Sequence, residues 1–118
     1  MAQLPEIQSY TLGHVIRKYG EYSSMGWSPR RRLDYGYVLP GDIYECYIDR
    51  LITANTRWLD VGGGRSVLPH NPELSRELSC RCLSLTSVDP SDNILDNPFA
   101  HKKSVLCSST WMWWKSII

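Results

Sequence analysis

RWLDVGGGRS, residues 57–66, is the stretch whose reading decides the fold: a short apolar run reaches Asp60 and Val61 and gives way to Gly62, Gly63 and Gly64. A surface turn needs one or two glycines to reach positive φ, whereas a loop that lets a ligand approach its backbone has a use for more. The polar break TANT at 53–56 precedes the run, so RWLDV reads as a buried strand over 57–61.

Working outward, Pro69 forbids an immediate long helix, and Asn71, Pro72 and Glu73 then read as an N-cap, a proline at N1 and a dipole-matching acid. They predict a helix over 72–81. CLSLTSVDP sets Leu83, Leu85 and Val88 ahead of Asp89, and Pro90 ends it, giving a second strand near 84–88. On the other side, GDIYECYIDRLI (41–52) offers Asp42 as an N-cap with Glu45 at N3. Ile43, Tyr47 and Leu51 recur there beside Tyr44, Ile48 and Ile52, with Glu45 and Asp49 opposite, so the pattern predicts one broad buried apolar face. Helix, strand, glycine loop, helix, strand is a βαβ unit with a helix ahead of it. The expected class is α/β, an incomplete Rossmann-like parallel sheet with an irregular N-terminal helical arm.

In that arm, Leu12, Val15, Ile16 and Tyr19 follow helical spacing, and Gly20 supplies the stop. Residues 21–40 mix Tyr, Arg, Gly and Pro without period and read as irregular chain. Tyr22, Trp27, Tyr35 and Tyr37 either line a ligand or partner surface or fold back over the core. Arg30, Arg31 and Arg32 form the dense basic cluster, read as a solvated loop.

The bulk properties narrow the function classes. The 118 residues suffice for one modest core, and a net charge of +1 gives no electrostatic case for nucleic acid or a membrane surface. Pro5 and Glu6 stand where an export signal needs an apolar core, and WMWWKSII (111–118) is too short for a membrane helix, so a cytoplasmic protein is expected. Cys46, Cys80, Cys82 and Cys107 form no CxxC pair and are expected as free thiols; Cys80 and Cys82 with His70 have poor metal spacing, and no metal site is expected.

In a parallel βαβ unit both strands open at their carboxyl ends on one edge of the sheet, where α/β proteins bind ligands. Asp60 and Asp89 both fall there, with the glycines between them and Asp89 25 positions after Gly64. A carboxylate ending the second strand can accept hydrogen bonds from both hydroxyls of a ribose. Asp60, two residues before the glycines, would repel a pyrophosphate and attract an ammonium or sulfonium. A dinucleotide fingerprint would need Gly or Ala where Val67 stands, and a phosphate loop would need Gly and Lys where Leu59 and Arg65 stand. Three glycines also suit a flexible turn, and Asp-Pro commonly ends a strand.

WLDVGGGRS followed by LTSVDPSD resembles the cofactor half of a class I S-adenosylmethionine-dependent methyltransferase, whose first motif runs hhDhGxGxG with h apolar. Trp58, Leu59, Asp60, Val61, Gly62 and Gly64 match it position by position, and Ser66 replaces the last glycine. The resemblance implies S-adenosyl-L-methionine as cofactor. Its amino acid part would lie over Gly62, Gly63 and Gly64, its amino group near Asp60 and its ribose on Asp89, and Val61 and Pro90 complete the cofactor-binding set.

The resemblance runs from LPGDIYECYIDRL to NPFAHKK, so segments of 1–40, 41–105 and 106–118 are expected: an arm, a cofactor-binding half-domain and an atypical hydrophobic tail. SVLCSS (104–109) suggests one more short strand, but STWMWWKSII is unlike the family's continuation, and a truncated or alternatively read product is expected. The implied activity is methyl transfer to a small-molecule acceptor; the alternative is a non-catalytic nucleoside-binding or partner-binding fragment. Tyr35, Tyr37, His14 and His70 are available as bases, and none has a spacing that marks it. Self-association through the open sheet edge is a further expectation.

Overall fold

The computed structural model describes residues 8–106; most of the expected tail, with Cys107, lies outside the described residues. The chain divides into two compact units, Met1–Leu51 and Ile52–Ile118.

The first unit is helical. α1 (Ser9–Tyr19) ends at Gly20, whose φ of 95° admits no ordinary side chain and whose N–H donates to the Ile16 carbonyl at 2.7 Å. A 3-10 turn at Tyr22–Ser24 leads to α2 (Trp27–Asp34), which corrects the irregular arm expected over 21–40. α2 buries no residue, so it has no apolar period to read. Instead the Arg31 guanidinium lies 5.7 Å from the Trp27 ring centroid and 5.3 Å from that of Tyr35, pairing residues one turn apart on either side. The arginine triplet is therefore helical. Tyr22, Trp27, Tyr35 and Tyr37 are all at least half exposed, which corrects the option that they fold over the core.

α3 (Pro40–Leu51) is turned inside out relative to expectation. It begins before Asp42, so Asp42 is not the cap, and Asp42, Glu45 and Cys46 are its buried residues. Tyr44, Tyr47 and Leu51, assigned from sequence to the buried face, are 54%, 55% and 68% exposed. The reason is ionic. Lys18 of α1 donates to Asp42 Oδ1 at 2.7 Å and to Glu45 Oε2 at 2.8 Å, Tyr19 donates to Asp42 Oδ2 at 2.8 Å, and His14 Nε2 lies 3.3 Å from Glu45 Oε1. Buried carboxylates persist only when paired in this way. Burial opposes the charge on Lys18, but both carboxylates overcome it and hold the ammonium well above its ordinary pKa.

The second unit is mixed α/β. β1 (Arg57–Val61), α4 (Pro72–Arg81), β2 (Ser84–Asp89), a 3-10 turn (Asp92–Asp96) and β3 (Lys102–Val105) follow in order, and the strands form an open parallel sheet β1-β2-β3. α4 occupies the expected span: Asn71 Oδ1 accepts the Leu74 N–H at 3.1 Å and Pro72 sits at N1. Leu74, Leu78, Leu85 and Ile94 are buried as its core. Leu83 precedes β2 and is exposed, and β3 starts at Lys102, before the expected SVLCSS. β1 corrects the buried strand expected over 57–61: none of its residues is buried, and Leu59 and Val61 are each 49% exposed on one face of the sheet. No helix among the described residues is long and apolar enough to cross a membrane.

Candidate functional site at the carboxyl ends of β1 and β2

The sheet register sets Asp60 beside Ser87 and Val61 beside Val88, which brings the ends of β1 and β2 together. Beyond Val61, the Gly62 N–H donates to the Val88 carbonyl at 2.7 Å, so the loop leaves the strand already tied to β2. Gly62 and Gly64 have φ of 78° and 56°, and a Cβ added at either would meet nothing within 4 Å. Their requirement is conformational. Gly63 is needed for space: a Cβ there would collide with Asp60 Oδ2 and lie 3.5 Å from the Ser87 Cβ. The triple glycine thus lets the backbone turn twice and lie flat on a carboxyl group.

That carboxyl group is poorly satisfied. Asp60 Oδ2 and the Ser87 hydroxyl are both buried and have no hydrogen-bond partner among the described residues. Burial first, and the charge of Asp89 second, push the Asp60 pKa above the ordinary carboxylate value. A cation placed beside Asp60 would oppose both by favouring the ionised carboxylate. Asp89 is differently placed, with Oδ2 accepting the Gly64 N–H at 3.1 Å and Oδ1 the Ser91 N–H at 2.8 Å. Each oxygen keeps a further lone pair for an added donor.

Of the residues expected at the site, Asp60, Gly62, Gly63, Gly64 and Asp89 come together. Val61 and Pro90 follow the chain there with exposed side chains. Sequence reasoning missed two residues. Ser87 is fully buried, and its signal was a polar residue at an inward position of SLTSVD, read only as a strand. Asn97 is also fully buried: its Nδ2 donates to the Gly64 carbonyl at 3.3 Å while its Oδ1 accepts the Phe99 N–H at 2.9 Å. It pins the far end of the loop, and its signal was the turn-forming Asn-Pro pair.

The candidate bases lie elsewhere in the chemistry of the fold. Tyr35 and Tyr37 are 63% and 52% exposed, His14 is held in the buried cluster with Glu45, and His70 is exposed. Cys46, Cys80 and Cys82 are free thiols as expected. The ligand atoms of His14, Asp42 and Glu45 lie within 4.8 Å of one another, but the Lys18 ammonium already stands between the two carboxylates as their cation.

No family model, curated protein or solved structure matches this chain.

Proposed function

We propose that the loop at the ends of β1 and β2 binds a cationic nucleoside, S-adenosylmethionine by the resemblance of its motif, and that the second unit is the Rossmann-like cofactor half of a small-molecule methyltransferase. The observation that carries this reading is the half-buried Asp60 carboxyl, whose Oδ2 lies beneath Gly63 with no hydrogen-bond partner among the described residues. A phosphate would worsen its electrostatics and an ammonium would relieve them.

The residues present fit that group. Asp60 and Ser87 offer unused acceptors for an amino group, Gly62 to Gly64 leave the backbone bare above them, and Asp89 retains acceptor capacity for ribose hydroxyls. The cofactor would supply an activated methyl group on its sulfonium. The protein's part is to hold and orient, and proximity carries much of the rate in a transfer that does not require a general base.

Calorimetric titration of the whole chain with S-adenosylhomocysteine tests the reading. Saturable binding that Asp89→Ala weakens at least tenfold is expected, and saturable binding of a dinucleotide in its place would overturn it. A second reading, nucleoside binding without transfer, draws on the absence of a marked base among Tyr35, Tyr37, His14 and His70. It differs in outcome: the same affinity, with no methyl group passed to any acceptor in a broad screen.

A further inference from the structure

The first unit carries a cavity of about 310 Å³ between the start of α1, the chain before α3 and α3 itself. We infer that this cavity is a second ligand site, independent of the glycine loop, and that it takes a small, flat, neutral aromatic molecule of the indole or phenol class.

Its walls are the rings of Tyr10 and Tyr47 with the branched side chains of Val38 and Ile43. Its polar residues are Gln8, Thr11 and Cys46, and Tyr10 and Tyr47 add hydroxyls that can pair with one N–H or O–H on a ligand otherwise apolar. The volume lies at the small end of ligand pockets, roughly 300–1,000 Å³, and suits one or two fused rings. Two tyrosines and two branched aliphatics around a cleft favour a flat apolar body, because rings stack on or edge into rings and lose little conformational entropy on doing so.

Charge selects a neutral ligand. No ionisable carboxyl, amine or guanidinium lines the cavity. Arg50 and Asp49 act on the Cys46 thiol with opposite sign. The Arg50 guanidinium is engaged over the Tyr10 ring at 4.0 Å from its centroid, which fixes that wall in place. Cys46 is buried and burial pushes its thiol up, so it remains protonated; it donates to the Tyr10 carbonyl at 3.8 Å, and the residue forms part of the cleft lining. Sulfur beside an aromatic ring is a favourable contact, and a protonated thiol makes no charge demand on the ligand.

The inward turn of α3 explains why the cleft exists. With Asp42 and Glu45 drawn inward by Lys18, the Ile43 and Tyr47 side of the helix is left to solvent, and these residues are 40% and 55% exposed. A ligand ring would cover apolar surface that the protein's own ionic brace leaves bare.

The test is titration of the full-length chain with indole, followed by amide chemical shifts, with benzoate and benzylamine as charged comparators. Expected are saturable shifts at Thr11, Val38, Cys46 and Tyr47, with both charged compounds at least tenfold weaker. Val38→Trp, which fills the cleft, is expected to abolish the shifts with its melting midpoint retained, and Tyr47→Ala to weaken binding several-fold. Non-saturable shifts, shifts confined to residues 57–105, or a charged comparator binding as tightly as indole would each overturn the inference. None of these outcomes depends on whether the glycine loop binds S-adenosylhomocysteine, so failure of either site is read separately.

Discussion

Gly63 lies directly on the Asp60 carboxyl, so close that a Cβ at position 63 would collide with Oδ2. The φ of Gly63 is not among the positive ones, which are Gly20, Gly36, Gly62 and Gly64. Gly63→Ala therefore probes contact alone, without backbone strain. It is expected to cost about 1–3 kcal/mol as an overpacked site, measured by urea denaturation. In an Asp60→Ala background most of that cost should vanish, and an additive double-mutant cycle would show that the two residues do not touch.

Asp60→Asn should stabilise the protein at neutral pH. The folded-state pKa is raised, so the ionised form is disfavoured by folding: the burden is absent below the ordinary value of 3.8 and grows as pH rises through the folded-state pKa. The carboxyl is only partly buried, which limits the gain to about 1 kcal/mol or less after solvent screening. Melting curves of the two proteins should separate at pH 7 and converge at pH 3. The variant is expected to lose affinity for a cationic ligand while gaining stability, a trade common at binding sites.

Lys18→Met leaves Asp42 and Glu45 facing one another without their shared cation, and breaking such a buried pair typically costs about 3–5 kcal/mol. The helical unit is expected to lose its cooperative melt, followed by circular dichroism. Adding Asp42→Asn and Glu45→Gln to Lys18→Met should recover a large part of the loss, because the buried charges go with their partner.

Local signals were legible where the residues that fix an element lie next to one another. Asn71 and Pro72 placed the start of α4, Gly20 the end of α1, and the spacing of Asp60, the glycines and Asp89 the strand-end site, because caps, positive φ and strand termini are set within a few residues. α3 was misread because helical periodicity ranks carboxylates as outward, and the partner that turns Asp42 and Glu45 inward is Lys18, 24 and 27 positions away. α2 was invisible for a related reason: its stabilising contacts are Arg31 with Trp27 and Tyr35 on its own exposed surface, which an apolar pattern does not report. At the site, Ser87 escaped notice because its significance lies in standing beside Asp60 across the sheet, a register that exists only once the strands pair.

Ligand affinity should rise with pH in a way that traces to Asp60. A cation held by this carboxyl requires it ionised, while burial and the Asp89 charge favour its neutral form in the free protein. On the proposed function, binding of S-adenosylhomocysteine, whose amino group carries the positive charge, would be coupled to release of a proton from Asp60. Affinity climbs as pH passes upward through the raised pKa and levels off above it. Calorimetry between about pH 4 and pH 7 should show this climb in the unaltered chain and a flatter profile in Asp60→Asn. Asp89→Asn supplies the second arm: it removes the lesser of the two influences on Asp60, so the climb should begin at lower pH whatever the variant does to the proposed ribose contact. A profile that stays in place in Asp89→Asn would mean that the two carboxyls do not act on one another, and the loop would then have to be read as two unrelated turns.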